Sequence, residues 1–218
     1  MFNLDNPFVG LLNFFADLLG GNFGFSIIAI TIIIRLLLLP LFMKQEKQLK
    51  ETQEKFTALK PEMSEIQEKI SQAKTDEERL SYQLELFNLR KKHNISLQSM
   101  GFLPSLLQAP VLMGFYAALT TSDILQNHSF LWFALSSHDV LISVIVGLLY
   151  LLLFKINRKL APQNPEQPKQ LAFVGYIFPA FMFIFALNMP AGIGLYWVTG
   201  ALFMILYKLL LLIKKRSK

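Results

Sequence analysis

Cysteine is absent from the 218-residue chain. That excludes disulfides, thiolate chemistry and cysteine-ligated metal sites. Histidine is scarce, and His93, His128 and His138 are scattered, so neither a metal nor a cofactor is expected. No phosphate-binding loop occurs, which removes nucleotide hydrolysis as a driving reaction. Asp and Glu are missing from five apolar windows: Phe23–Met43, Met100–Thr120, Val140–Phe154, Leu171–Leu187 and Ile193–Ile213. Lys and Arg are missing from residues 1–22 and again from residues 121–139, although each stretch carries two acids.

What is present is mostly apolar. Hydrophobic residues make up 53% of the chain and the mean hydropathy is +0.43, which suits a polytopic membrane protein better than a soluble domain of this size. Basic residues are unevenly placed. Eleven Lys and Arg lie in residues 44–99, four in 155–170 and five from Lys208 to Lys218, and Arg35 is the one left over. With five spans, all three clusters fall on one side of the membrane, which the positive-inside rule makes cytoplasmic. The net charge of +6 is therefore a topology signal, with anionic phospholipid headgroups as the local partner, rather than a mark of nucleic-acid binding.

The expected fold is all-α, with five transmembrane helices, an N-terminal interfacial amphipathic helix and a cytoplasmic helical hairpin. Residues 1–21 form the extracytoplasmic amphipathic helix, with Phe8, Leu11, Leu12, Phe15, Leu18 and Leu19 at helical spacing and Gly20-Gly21 ending it. No basic region precedes it, so it does not read as a signal peptide. The spans are 22–43, 99–120, 139–155, 171–188 and 191–213. An outer loop covers 121–138, a proline-rich inner loop 156–170, and a basic tail 214–218. The chain is thus expected to be a multi-pass membrane protein, with its N-terminus outside and its C-terminus in the cytoplasm.

Residues 44–98 are the one sizeable hydrophilic segment. Phe56, Leu59, Met63, Ile66 and Ile70 repeat at coiled-coil spacing, and "TDEE" at Thr75–Glu78 is a capping box that opens a second helix with Leu80, Leu84 and Phe87 among its apolar positions. An antiparallel hairpin is expected. Its eleven basic and ten acidic residues nearly cancel, as on a solvated surface.

Arg35 is the most informative residue. It stands in "TIIIRLLLLP", more than two turns from either end of its window. About 20 helical residues cross the hydrocarbon core, and a guanidinium at that depth costs about 3 kcal/mol on insertion scales. With no carboxylate in any window, the expectation is a water-filled, electropositive cavity facing Arg35 that attracts an anionic or polar visitor. Other polar positions recur at helical spacing: Thr31 one turn before Arg35; Ser105, Gln108 and Tyr116; Ser143, Gly147 and Tyr150; and Tyr196, Thr199 and Tyr207, with Trp197 beside them. Taken singly, Gln108 and Thr199 read as interhelical glue, and Trp132 and Tyr207 as interfacial belt residues.

The lone arginine followed by "LLLLPLF", the charged hairpin, "LPSLLQAPVLMGFYAAL" and "MPAGIGLYWVTG" together resemble the YidC-type membrane protein insertases. The resemblance runs from roughly residue 8 to residue 213 and is to the short Gram-positive form, which lacks a large extracytoplasmic domain. Members of that form commonly begin at a lipobox cysteine, which this sequence lacks. The resemblance implies a hydrophilic groove open to cytoplasm and lipid and closed outside. Arg35 would stand on its wall with Thr31, Gln108, Tyr150, Tyr196 and Trp197 as groove neighbours. It implies nascent membrane proteins with short or acidic extracytoplasmic segments as substrates, the ribosome or targeting machinery as partners, and the Sec translocon as a candidate companion. It implies no catalysis.

Two other classes were weighed. An anion or small-solute transporter could use Arg35, but the sequence shows no inverted repeat and no second intramembrane charge to alternate with it. A membrane hydrolase would need Ser, His and acid to converge, whereas His128 and His138 lie in the outer loop.

Overall fold

The computed structural model describes residues 7–93, 103–121, 125, 127–160 and 169–216. Asp5, Asp123, the stretch 161–168 and the Ser105 side chain lie outside the described residues. Two compact units are present, Met1–Leu39 with Leu107–Lys218, and Pro40–Leu106. Each is taken by itself.

The first unit begins with α1 (Pro7–Leu18). Gly20 (φ 70°) and Gly21 (φ 83°) end it in the left-handed region. The Gly21 N–H donates to the Ala16 carbonyl at 2.7 Å, closing the last turn as a Schellman motif. Leu12, Val9 and Ala16 are buried, whereas Leu11, Phe14 and Leu18 are exposed. The helix is therefore apolar on both sides. One side packs into the unit, where the Phe8 ring lies 5.2 Å from that of Phe115, and the other is exposed.

Asn22 caps the next helix, α2 (Phe23–Ala58), its Oδ1 accepting from the Phe25 N–H at 3.1 Å. Helix α5 (Leu103–Thr121) follows the hairpin. A two-stranded ribbon comes next, β1 (Ser129–Phe130) paired antiparallel with β2 (Phe133–Ala134). The outer loop is mainly apolar packing. Leu125, Phe130, Phe133 and Leu135 are buried, and Phe130 sits so close over Gly24 that no Cβ could stand there. The loop is also tied to the start of the last helix. The Ala191 N–H donates to the Ser137 carbonyl at 2.7 Å, and the Gly192 N–H donates to that of Leu135 at 2.9 Å.

Asp139 caps α6 (Val140–Leu160), accepting from the Ile142 N–H at 2.8 Å and from the exposed Trp132 indole at 3.4 Å. Helix α6 packs along both α7 (Lys169–Leu187) and α8 (Ala191–Arg216). Small residues permit the close approach: a Cβ on Gly147 would meet Phe183 at 2.9 Å, and one on Gly194 would meet Ile142 at 3.1 Å. Leu36, Leu37, Leu148, Ile184, Leu206 and Leu210 point outward, which in water would be an unsustainable apolar surface. Among the described residues, Phe23–Thr52, Val140–Leu160 and Ala191–Ile213 are long and apolar enough to cross a membrane. Pro7–Leu18 and Tyr176–Leu187 are shorter apolar helices.

The second unit is a helical hairpin. Helix α2 ends at Ala58, and Pro61 stands in the first turn of α3 (Lys60–Gln72), where its missing N–H costs nothing. The apolar repeat thus crosses a helix break. Leu59, Met63 and Ile66 are buried, and Leu86 and Leu89 of α4 (Asp76–Lys92) pack against Leu59 and Met63. The sequence reading placed Leu80, Leu84 and Phe87 among the apolar positions of this helix, but the structure leaves all three exposed. Tyr82, Leu86 and Leu89 have the same i, i+4, i+7 spacing, and this is the set turned to α3; the Lys69 ammonium stands 6.0 Å from the Tyr82 ring centre. The ion pairs Lys47–Glu51 and Lys50–Glu54, each 3.9 Å, are well exposed, so each is worth only a few tenths of a kcal/mol.

Thr75 caps α4 as expected, but the return bond of the box reaches one residue further back, to Lys74. Thr75 Oγ1 accepts from the Glu78 N–H at 3.2 Å, and Glu78 Oε2 accepts from the Lys74 N–H at 3.0 Å. Removing the cap with Thr75→Ala should cost the hairpin about 1 kcal/mol. Faster amide exchange confined to the first turn of α4, at unchanged cellular activity, is the expected result. Loss of activity at a normal protein level would show that the hairpin tip carries a required contact.

Candidate functional site

The polar positions of the spans meet around Arg35, within the first unit. Arg35 lies on α2 and is only 7% exposed. Its seat is Gly200 of α8. A Cβ built on Gly200 would stand 2.5 Å from Arg35 Nη2 and 3.0 Å from both Cζ and Nε. The guanidinium therefore lies along the α8 backbone, at a spot that only a glycine leaves open.

One turn before Gly200 on α8 is Tyr196, which is 1% exposed. Its hydroxyl accepts a hydrogen bond from Gln108 Nε2 of α5, and its ring lies 5.2 Å from Phe115 of the same helix. From α6, Tyr150 packs against the same buried cluster that contains Tyr196. Three helices thus bring a cation, a phenol and an amide together in apolar windows that hold no carboxylate, and a fourth adds Tyr150 to their core.

The remaining expected site residues stand differently. Thr31 is fully buried one turn before Arg35, with its hydroxyl donating to the Ile27 carbonyl at 2.6 Å. Trp197 is buried, and its ring contact is with Phe185 of α7 at 5.5 Å. It belongs to the packing of α7 on α8 more than to the arginine cluster. Thr199 and Ser143 bond to carbonyls on their own helices, at 2.8 and 2.7 Å. A hydroxyl used in this way satisfies itself locally, so Thr199 is not the interhelical glue its spacing suggested, whereas Gln108 is. Tyr116 is exposed.

Arg35, Thr31, Tyr196 and Trp197 are buried, and Gln108 and Tyr150 are partly buried. At Gly200 the α8 backbone stands directly against the guanidinium. Sequence reasoning missed Phe115, since a phenylalanine in a span carries no signal apart from packing. Gly200 had one available signal: it is four residues after Tyr196, on the same stripe.

Elsewhere, a shallow groove follows the hairpin, lined by Glu62, Glu65, Lys69, Glu85 and Lys92. Both signs of charge alternate along it, as on a solvated surface. Among the described residues, no cluster of His, Asp and Glu could hold a metal.

The chain matches the family described as 60Kd inner membrane protein over residues 14–218. Membrane protein insertase MisCB of Bacillus subtilis (strain 168) is 39% identical over 214 residues, covering 95% of this chain and 78% of the relative. Membrane protein insertase YidC 2 of Listeria monocytogenes serotype 4b (strain F2365) is 37% identical, covering 92% and 72% respectively. Membrane protein insertase MisCA of Bacillus subtilis (strain 168) is 38% identical, covering 91% and 74%.

Proposed function

The chain belongs to the 60Kd inner membrane protein family, the YidC-type membrane protein insertases, and on that footing we propose that it inserts nascent membrane proteins into the bacterial cell membrane by way of the Arg35 cluster. The observation that carries this reading is a buried cation deep in an apolar helix. Arg35 is 7% exposed and its guanidinium lies against Gly200, one turn from the tyrosine of the Tyr196–Gln108 pair.

A short acidic outer segment of a client must cross hydrocarbon. An aspartate at the centre of a bilayer costs about 3 kcal/mol, and a cation in low dielectric offsets part of that. Arg35 attracts the acid transiently. The hydroxyls and the amide offer exchangeable hydrogen bonds in place of water, and α8 moves off Arg35 to admit the segment. The apolar helix of the client then leaves sideways, driven by its own hydrophobicity. No bond is made or broken, so the action is that of a chaperone rather than an enzyme. The buried outer loop, with Phe130 and Phe133 at its centre, supports a site closed towards the outside and reached from cytoplasm and lipid.

In this reading five helices span the membrane, with α5 and α7 joining the three long ones. The N-terminus is outside, and the hairpin and tail face the cytoplasm, where ribosome or targeting machinery, the Sec translocon and anionic lipids are the partners. The absence of cysteine makes the topology simple to test. Single cysteines at Ser137 and Ser71, both exposed, should react with an impermeant reagent from opposite sides, Ser137 from outside. Reaction of both from one side would overturn the five-span arrangement. For the function itself, depletion should deplete the membrane of proteins with short outer segments. An unchanged membrane proteome after depletion would contradict it.

A further inference from the structure

Helix α4 carries a second apolar stripe that the described residues of its own unit leave exposed, with Leu84 at the edge of the groove along the hairpin. Leu80, Leu84 and Phe87 are 58%, 54% and 60% exposed, on the side of α4 away from Leu86 and Leu89, which pack towards α3. Extended by Glu77 and Lys91, the positions 77, 80, 84, 87 and 91 step by 3, 4, 3 and 4, the spacing of a helix-pairing face.

The charges along this face have a symmetry of their own. The first turn of α4 holds Asp76, Glu77 and Glu78, and the last holds Arg90, Lys91 and Lys92. On the stripe itself Glu77 stands at the acidic end and Lys91 at the basic end, so about Leu84 the face reverses in sign, with Glu77 opposite Lys91. We propose that this face is a self-pairing surface, on which α4 of one molecule lies antiparallel against α4 of a second copy around Leu84. A twofold axis through Leu84 sets each acidic end beside the partner's basic end and joins the two apolar stripes, an isologous contact. Parallel pairing would instead set like charges together at both ends, so the charges select the antiparallel orientation.

Lipid is the competing cover for such a stripe. The acids at its N-terminal end disfavour an anionic headgroup surface, while Glu77 on the stripe meets Lys91 of a second copy. The contact is small. A helix of 17 residues is about 25 Å long, and one stripe along it offers less area than the 1,200–2,000 Å² typical of stable interfaces. Pairing is therefore transient and depends on confinement of both copies in one membrane, which raises their effective concentration.

The test uses full-length protein in its own membrane, with single cysteines in the cysteine-free chain. Under mild oxidation Leu84→Cys should form an intermolecular disulfide at least severalfold faster than Gln67→Cys, an exposed control on α3. Adding Glu77→Lys to Leu84→Cys should slow the disulfide, and adding Lys91→Glu as well should restore it, because the pair exchanges ends in both copies. Equal rates at positions 84 and 67 would overturn the proposal, as would a rate at 84 that ignores the charge reversals. Quenching of a fluorophore at residue 84 by brominated lipid would overturn it too, and would assign the stripe to the membrane surface. Leu84 is exposed, so its loss removes no core packing, and matched protein levels are expected for every variant.

Discussion

Replacing Arg35 with alanine should slow insertion of a client whose outer segment carries one aspartate by about 100-fold, since about 3 kcal/mol of compensation for that acid is lost. The same client with a neutral outer segment should change only a few-fold. The variant itself should accumulate normally or better, because a cation has been removed from the middle of a span. Arg35→Lys should keep much of the activity, as it retains the charge and loses the planar fork. Arg35→Glu should fail more widely through repulsion of acidic clients. Protease protection of the two clients, beside the steady-state level of each variant, checks all of this. If both clients fail equally and the variants are degraded, Arg35 is a packing residue.

Filling the seat of the guanidinium should have the second-largest effect. In Gly200→Ala the new methyl group would overlap Arg35 Nη2 at 2.5 Å. The clash falls on the far end of a long side chain, so the guanidinium can move and the fold need not. The protein should therefore remain at normal levels while acidic-client insertion falls by roughly tenfold, equivalent to about 1.4 kcal/mol. Gly200→Leu should be worse, because the clash then reaches beyond the end of the arginine side chain. The informative comparison is Gly200→Ala on an Arg35→Ala background, where the methyl group has nothing to displace. It should add nothing there, as expected when two residues act through one contact. A full additive loss in the double variant would mean that Gly200 acts through helix packing alone.

These two residues also show what could be read from the sequence. Arg35 was legible because a single charge in an apolar window is expensive wherever it occurs, whereas helical spacing marked Tyr196 and Gln108 only on their own helices, and the family resemblance alone set them beside Arg35. Gly200 was not legible, because a glycine records what its neighbour needs and the neighbour lies on another helix. The same limit applies in the hairpin. Leu80–Leu84–Phe87 and Tyr82–Leu86–Leu89 have identical spacing, and only the position of α3 decides which one is covered. The structure has a helix at Pro7–Leu18, and which of its apolar residues are covered depends on Val9, Leu12 and Ala16 finding partners elsewhere in the chain. Thr199 misled for a local reason, since its hydroxyl is satisfied by Leu195 of its own helix.

The central claim is that clients pass the Arg35 cluster, and site-specific photocross-linking tests it most directly. A photoreactive side chain at position 108, beside Tyr196, is compared with one at Leu206, which faces outward on α8. Each is presented with a ribosome-stalled client whose acidic outer segment has just emerged. The account requires a strong adduct between that segment and position 108, weakened by Arg35→Ala, and little at Leu206 until the client helix has moved into lipid. An adduct at Leu206 from the outset, with none at position 108 in the presence of Arg35, would contradict it.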